Sequence, residues 1–315
     1  MTRYILRRLM LLGITLLMTS MLVFGLTQLL PGDVARINLG RDATPEQLEA
    51  FRQTHGLDQP VINQYINWLT GFITGDWGKS FNRGSQPIRP LVMQKLGNTL
   101  RLAALTLVIA VPLSVLLGVI AALKEDTWVD SAISVTSLAV VGLPEFVTGV
   151  VLVQVFANQL GWFKPASFVP RTGNLADWLE ILILPAITAT LVLLAYISRM
   201  TRAGVIDELK KSYVRTARLK GLPEYQVIFK HVLRNALLPT ITVIALSVGW
   251  LIGGLVVVED VFSYPGIGSE LVAAVEQQNI PLLQAIVMLI IFFYAMANLM
   301  ADILYSVLNP RIRLN

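Results

Sequence analysis

Cysteine is absent from the sequence, histidine occurs only twice, and charged residues are scarce. The absence of cysteine excludes disulfides and thiolate metal sites. His55 and His231 fall at opposite membrane faces in the topology argued below, so no pair of histidines can bind a metal ion. No motif brings together a nucleophile, a base and an orienting group. The sequence therefore predicts neither a metal site nor a catalytic site in this chain.

The scarcity of charge indicates that lipid is the main solvent. Charged residues make up 14% of the 315 residues, whereas soluble domains carry roughly 25%. The net charge of +5 is modest, and the basic residues cluster in particular loops. Such clustering indicates how the chain is oriented in a membrane and does not indicate nucleic-acid binding. We therefore expect a lipid bilayer, and no nucleic acid, among the partners.

Long apolar runs predict six membrane-spanning helices. A span needs about 20 apolar residues, and five stretches of this kind contain no charge. They are Leu9 to Gly32, Leu102 to Leu123, Ile181 to Ser198, Asn235 to Val258 and Gln277 to Ala301. A sixth stretch, Ser131 to about Asn158, contains one acid, Glu145. The first stretch is 24 residues long, beyond the roughly 7 to 15 residues of a cleavable signal, so we expect a retained helix.

Lys and Arg in the short loops predict the orientation. With the N-terminus inside, the four inner segments hold three, one, nine and two basic residues, fifteen in all. The nine lie in the loop Arg199 to Arg234, and the last two are Arg311 and Arg313. The outer loop Glu259 to Gln278 has none. An even number of spans then places both termini in the cytoplasm.

The outer segment Asp33 to Gly97 is predicted to be partly helical. Thr44 is a good helix cap with Pro45 at the first helical position, and Gly56 is a plausible end. A second amphipathic helix follows Pro60. The glycines around Gly75 to Gly78 indicate a turn. In that turn Gly78-Lys-Ser80 resembles the end of a phosphate-binding loop, but the required earlier glycine is Ile73, which argues against a nucleotide site.

The inner loop Arg199 to Arg234 is too long for a simple connector. Ser212 is predicted to cap a two-turn helix, Tyr213 to Lys220, and Gly221 to end it in a left-handed conformation. Pro223 is then expected in the first turn of a further helix. By residue chemistry alone, this loop is equally well a lever held across the inner surface or a basic loop lying on anionic lipid.

The string Tyr213-Val-Arg-Thr-Ala-Arg-Leu-Lys-Gly221, followed by His231-Val-Leu-Arg-Asn-Ala-Leu-Leu-Pro239, resembles the coupling loop of ABC importer permeases of the dipeptide, oligopeptide and nickel branch. Family residues Glu-Ala-Ala correspond here to Arg215, Thr216 and Ala217, and the family glycine corresponds to Gly221. The first two of these depart from the wider family, and Arg234 replaces a proline, as is common in the peptide branch.

Further strings resemble this branch in the same order along the chain. They are Leu29-Leu-Pro-Gly-Asp33, Gly56-Leu-Asp-Gln-Pro60, Gly75-Asp-Trp-Gly-Lys-Ser80, Glu259-Asp-Val-Phe-Ser-Tyr-Pro-Gly-Ile-Gly268 and Asn309-Pro-Arg-Ile-Arg313. Val34 departs from the usual proline. The resemblance thus covers nearly the whole chain.

The resemblance implies an all-α, six-helix type I importer permease of the bacterial inner membrane. It divides the chain into residues 1–97, the first helix with its extracytoplasmic segment, and residues 98–315, a five-helix core with the coupling loop. The implied partners are a second permease, two ATP-binding subunits and an extracytoplasmic binding protein. The ATP-binding subunits would bind ATP and Mg, so this chain needs no cofactor.

Peptide is the expected substrate, with glutathione, nickel chelates and oligosaccharides as alternatives. Tyr213, His231 and the residues aligned above would form the ATPase-coupling element. The acids of the outer loop are candidates to contact the binding protein, namely Glu259, Asp260, Glu270 and Glu276.

Glu145 is the one charged residue inside a predicted span. A group at that depth usually faces a cavity, a pore or a partner. It equally fits a locally hydrogen-bonded carboxylate beside a helix break at Pro144. A secondary transporter or channel, the alternative class, would be expected to show inverted repeats or a pore ring, and we find neither in the sequence.

Overall fold

The computed structural model describes residues 2–29, 32–40, 42–82, 86–168 and 174–308. Within these ranges every regular element is a helix, and an isolated bridge joins Lys79 to Pro87. The chain divides into two compact units. One comprises Met1–Thr99 with Pro265–Ala295, and the other comprises Leu100–Tyr264 with Met296–Asn315. The grouping of residues 265–295 with the N-terminal part is not visible in the linear division at residue 97.

The first unit contains four N-terminal helices: α1 (Thr2–Gln28), α2 (Val34–Leu39), α3 (Pro45–Thr54) and α4 (Val61–Thr74). Thr44 caps α3 as predicted, since its Oγ1 accepts from the Gln47 backbone N–H and the Gln47 side chain accepts from the Thr44 N–H. Gly75 ends α4 with φ of 90°, a conformation that glycine adopts at no steric cost.

A long helix, α5 (Ile88–Leu123), runs from the first unit into the second. The second unit continues with α6 (Trp128–Gly142), α7 (Glu145–Leu152), a π-helical turn (Val153–Gln159) and α8 (Leu175–Leu209). Next come α9 (Ser212–Leu219), α10 (Glu224–Gln226), a second π-helical turn (Val227–Val232) and α11 (Leu233–Val261). The chain returns to the first unit with α12 (Ile267–Glu276) and the start of α13 (Ile280–Leu308).

Each unit has its own apolar core. In the first unit the start of α5 packs on α12 and α13 through residues such as Ile88, Val92, Ile267 and Ile286. In the second unit α8 and α11 pack closely, because small residues lie where they meet. A Cβ at Gly204 would lie 2.5 Å from the backbone oxygen of Ala236, so only glycine permits this approach.

Among the described residues, five helices are long and apolar enough to cross a membrane: Leu6–Gln28, Ile88–Leu123, Ala176–Leu209, Glu224–Val261 and Ile280–Leu304. The predicted sixth span corresponds to a bent pair of helices, α6 and α7 with its π-helical turn, which meet at 102° and are together long and apolar enough to count as one span. The break falls at Leu143 and Pro144, as the proline predicted. Pro112, Pro185 and Pro239 lie inside helices and end none of them.

Candidate functional site

The inner loop folds into the short helix α9 and a sharp turn. The helix begins one residue earlier than predicted, so Lys211, with extended backbone angles, is the N-terminal cap in place of Ser212, and no side chain caps the helix. Gly221 has φ of 76°, which confirms the left-handed stop. Its N–H bonds to the Arg218 oxygen, and the Leu222 N–H bonds to the Ala217 oxygen. This pair of bonds is the Schellman arrangement, which fixes the direction of the chain after the helix.

The two faces of α9 differ. Val214 and Ala217 are buried in a cluster with Val205, Val227 and Val232. Arg215, Thr216 and Leu219 face outward, and the Leu219 side chain is 79% exposed. Ala217 therefore packs against its own chain, whereas sequence reasoning placed it in a contact with a partner. The helix α9 therefore has a small exposed face, and its opposite face is packed against the rest of the chain.

A polar network anchors the start of α9. The Tyr213 hydroxyl and the Lys211 ammonium both donate to the carboxylate of Glu208, at the end of α8. Asn235 on α11 donates to the same hydroxyl at 3.2 Å. Burial, followed by the bond to Glu208, raises the pKa of Tyr213, and the bond to Glu208 raises the pKa of Lys211. Tyr213 thus joins α9 to both neighbouring long helices.

The turn after α9 is braced by an ion pair. Arg218 donates from Nη2 and Nε to the two carboxylate oxygens of Glu224, at 2.5 and 3.2 Å. Both side chains are about half exposed, so the pair contributes at most about 1 kcal/mol of stability. Pro223 precedes this next helix as its N-terminal cap and does not lie within its first turn.

His231 is half-buried beside the basic side chains of Lys230 and Arg234, which with Tyr213 and Asn235 line an open cavity of about 250 Å³. Its backbone oxygen, rather than its imidazole, accepts the bond from the Tyr213 hydroxyl, at 3.3 Å. His231 therefore lies beside α9, within the predicted coupling loop. Its hydrogen bond with Tyr213 is made through its main chain and not through its side chain.

Glu145 is the first residue of α7, immediately after the helix break. Its side chain is partly buried, and its Oε1 has no hydrogen-bond partner among the described residues. A free carboxylate at a helix N-terminus is favoured by the helix dipole. The local hydrogen bond offered as the alternative explanation of this residue is thus missing for one of its two oxygens.

Two of the four outer-loop acids are buried, which corrects their assignment to a surface contact. Glu259 is 0% exposed and Glu270 is 3% exposed, whereas Asp260 and Glu276 are exposed. Lys95 lies 3.3 Å from the Glu270 carboxylate, so this acid has an internal partner. The sequence states the charge of these residues but not the direction in which their side chains point.

Glu259 lies in a buried cluster that sequence reasoning missed. Tyr264 is fully buried, and burial raises the pKa of its hydroxyl, with a further rise from Glu259 and an opposing effect of Arg101. Arg101 also lies over the ring of Trp178, 4.7 Å from its centre. A buried acid requires a compensating group. The position of Glu259 directly after a long apolar run is therefore the indication of this cluster that the sequence offers.

A second missed pair joins α6 to α8. Arg202 donates from Nε and Nη2 to the two carboxylate oxygens of Asp130, each at 2.6 Å. The Asp130 side chain is 7% exposed and that of Arg202 31%. Asp130 stands just before the predicted span that begins at Ser131, and this position was the one signal in the sequence.

Long apolar helices with an anchored amphipathic helix between two of them define a polytopic membrane protein. The chain belongs to the family of binding-protein-dependent transport system inner membrane components. The model of that family matches residues 114–314, and the model of its N-terminal region matches residues 1–103. The chain is therefore a permease subunit of an ABC importer, multi-pass in the inner membrane, with the all-α type I permease fold.

Relatives match along the whole chain. One, from Brucella abortus (strain 2308), bears the name "Putative peptide transport system permease protein" and is 38% identical over 99% of both chains. The glutathione transport system permease protein GsiC of Escherichia coli (strain K12) is 37% identical, again over 99% of both. Among solved structures, an amino acid ABC transporter with histidines matches 71% of this chain and 94% of its own, with a TM-score of 0.47 and 16% identity.

Proposed function

We propose that this permease, paired with a second permease, forms the path by which short peptides cross the membrane. An extracytoplasmic binding protein delivers the peptide, and two ATP-binding subunits at the cytoplasmic face drive the transport. The observation that carries this proposal is the outward face of α9, held rigidly by the buried Val214 and the left-handed Gly221. This chain performs no chemistry of its own.

The helix α9 fits the role of a docking knob. A helix of eight residues is about 12 Å long, short enough to enter a cleft on a partner. Its inner side is fixed to α8 and α11 through Tyr213, so a displacement of the knob is passed on to the long helices. A loop lying on anionic lipid would need no such anchoring, and this favours the coupling role over the lipid alternative.

Peptide is favoured as the substrate because the matched relatives are named for peptide and for glutathione transport, and glutathione is itself a tripeptide. Nickel chelates and oligosaccharides are the alternatives within the same architecture. The channel or secondary transporter, as a different class, gains no support from the family match.

The chain itself needs no nucleotide or metal, in our proposal, because ATP and Mg belong to the partner subunits. In the stretch that resembles a phosphate-binding loop, Ser80 is fully buried and its hydroxyl accepts from the Asn279 amide at 2.6 Å. That hydroxyl serves the packing of the extracytoplasmic segment and is not available to a bound ion.

Glu145 is proposed to line the path between the two permeases. Its position at the break between α6 and α7 and its unbonded oxygen support this, since a carboxylate facing lipid would be costly. Asp260 and Glu276, the exposed acids of the outer loop, remain the proposed contacts for the binding protein.

The test is peptide uptake into proteoliposomes that contain the complete complex. We expect uptake of a labelled tripeptide to require the binding protein and ATP hydrolysis, and to continue when ionophores dissipate ion gradients. Uptake that persists without ATP and stops with the ionophores would identify a secondary transporter instead. Competition with maltotriose and with a nickel chelate in the same assay distinguishes the alternative substrates.

A further inference from the structure

The first unit contains a partly open cavity of about 810 Å³. Its walls are the end of α1, the end of α3 with its connection to α4, one face of α4, the loop 76–81 and the start of α13. The volume falls within the roughly 300–1000 Å³ of small-molecule binding sites. The lining combines charged groups of both signs, primary amides and aromatic rings.

We propose that this cavity is a peptide-binding site on the permease chain itself, which takes a short peptide with free termini. The proposal rests on the proposed function for the substrate class alone, because the cavity and its lining are properties of the chain. Such a site would hold substrate on the extracytoplasmic segment in addition to the site on a binding protein.

The charged lining groups fit a zwitterion. Asp33 and Arg52 form an ion pair of 2.7 Å, each side chain 37% exposed. Asp76 and Lys79 are exposed, and neither forms an ion pair within the described part of the chain. The lining thus carries two acids and two bases. A ligand of one sign would be repelled by half of them, whereas a peptide offers an ammonium and a carboxylate at opposite ends.

Primary amides supply the groups that a peptide backbone requires. Gln28 donates to the Gln64 side chain at 3.2 Å, Gln64 donates to the backbone oxygen of Gln59 at 2.8 Å, and Asn67 donates to the Gln59 side chain at 3.2 Å. This network fixes the four amides. The side-chain oxygens of Gln28 and Asn67 and the side-chain nitrogen of Gln59 make no further bond within the described part of the protein, so they can pair with the amides of a ligand.

Aromatic rings form rigid apolar walls. Trp77 stacks on Phe72 at 5.2 Å between ring centres, and its Nε1 donates to the Phe72 oxygen. Trp68 lies 5.7 Å from the ring of Phe24. Because neighbouring residues hold these rings in place, the rings lose little conformational freedom when a ligand side chain packs on them.

The histidine and the loop are also held in place. The ring of His55 lies 4.7 Å from that of Phe81, and its Nδ1 pairs with the Phe51 oxygen, so its Nε2 is left for the cavity. The loop that carries Lys79 is fixed by the buried Asn279, which bonds to Ser80 and accepts from the Phe81 N–H. The cavity is therefore preformed, which favours affinity for a small ligand.

The experiment measures binding of trialanine to the full-length chain in lipid nanodiscs by calorimetry, without nucleotide, ATP-binding subunits or binding protein. We expect trialanine to bind, and its N-acetylated, C-amidated form to bind about tenfold more weakly because both charged ends are lost. Asp76→Asn and Lys79→Gln should each weaken binding about threefold, as expected of charge pairs open to water. The Asn side chain retains the oxygen that accepts from the Gly78 N–H, so the turn is preserved.

Matched controls are Glu46→Gln and Arg36→Gln, which remove exposed charges from the same segment without lining the cavity. Both should bind like the wild type. Absence of trialanine binding, equal binding of the blocked peptide, or losses in the controls equal to those in the cavity variants would overturn the proposal. So would equally tight binding of maltotriose or glycerophosphoethanolamine, which lack a peptide backbone.

Failure of this site and failure of the proposed function give different results. If the complex imports peptide with ATP but the isolated chain binds none, the site is wrong and the function stands. If the chain binds trialanine but the complex shows no ATP-dependent peptide uptake, the site stands and the transport function is wrong.

Discussion

Gly221 is the residue whose backbone geometry the proposed coupling depends on most directly. Its φ of 76° is strained for residues with a Cβ, but a Cβ built there meets nothing within 4 Å. A substitution therefore tests backbone strain without a steric clash. Valine at this position costs about 1 kcal/mol or more, because β-branched residues rarely adopt the left-handed region.

We expect Gly221→Val to leave the complex assembled while ATP hydrolysis no longer responds to the loaded binding protein. Gly221→Asn is the matched control, since asparagine tolerates positive φ, and it should retain most of the stimulation. The measurement is substrate-stimulated ATPase activity in proteoliposomes, with co-purification of all subunits. Full stimulation in the valine variant would show that this turn does not transmit the signal.

Glu145 should matter for transport rather than for assembly. Exposing its carboxylate to lipid would cost at least about 2.5 kcal/mol, so a charged Glu145 at the helix break requires polar surroundings. Glu145→Gln keeps the size and removes the charge, and we expect an altered peptide uptake rate with normal yield of the complex. Glu46→Gln, at an exposed acid outside the spans, serves as control for the general loss of charge. Wild-type uptake in the Glu145 variant would remove it from the path.

At the scale of the element, the two faces of α9 should fail in different ways. Leu219 is exposed and available to a partner, so Leu219→Ala should reduce stimulated ATPase activity with no change in the melting temperature of the isolated chain. Ala217 is buried, so Ala217→Asp places a charge in an apolar cluster and should lower that melting temperature. Ile73→Ala, at an equally exposed apolar residue of α4, is the control for Leu219. Equal melting temperatures in both α9 variants would contradict the assignment of the faces.

The Asp130–Arg202 pair should stabilise the contact between α6 and α8. Removing one partner of a fully buried pair costs about 3–5 kcal/mol. Because Arg202 is about a third exposed, we expect a smaller loss, about 1–3 kcal/mol, from Asp130→Asn. A lower melting temperature in detergent would show it, and the double variant with Arg202→Gln should lose less than the sum of the single variants. Strict additivity would mean that the two groups do not interact in solution.

At the scale of the whole molecule, the prediction concerns orientation. The chain contains no cysteine, so single introduced cysteines report the exposed side without background labelling. We expect Glu46→Cys to react with an impermeant maleimide from the extracytoplasmic side and Leu219→Cys from the cytoplasmic side alone. Both positions are exposed and lie outside the helices predicted to span the membrane. The opposite labelling pattern would reverse the topology.

Local signals predicted local structure well. The cap at Thr44, the glycine ends at Gly56 and Gly221 and the break at Pro144 all lie where residue chemistry placed them. Each depends on the backbone preference of one or two residues, which the sequence states directly. The start of α9 was misplaced by one residue, because a Ser at the boundary of a helix fits either side of it. The predicted ending Asn309 to Arg313 lies outside the described residues.

The direction in which a side chain points could not be predicted from the sequence. Glu259, Glu270 and Asp260 share one outer loop, yet two are buried and one is exposed. Ala217 belongs to the coupling motif but faces inward. Which way a side chain points depends on how distant segments pack on it, and the nearest partners here are far away along the chain, as Lys95 is from Glu270.

The sequence by itself determined the class of protein, since charge-free runs of membrane length, the bias of Lys and Arg and an ordered set of motifs are all linear properties. The tertiary structure alone decided three features. The two helices of the sixth span meet at 102°, residues 265–295 pack with the N-terminal unit, and amides, charges and aromatic rings from separate helices line one cavity. The physical reason is that hydropathy and charge act residue by residue, whereas packing and burial depend on contacts between segments that the chain order does not specify.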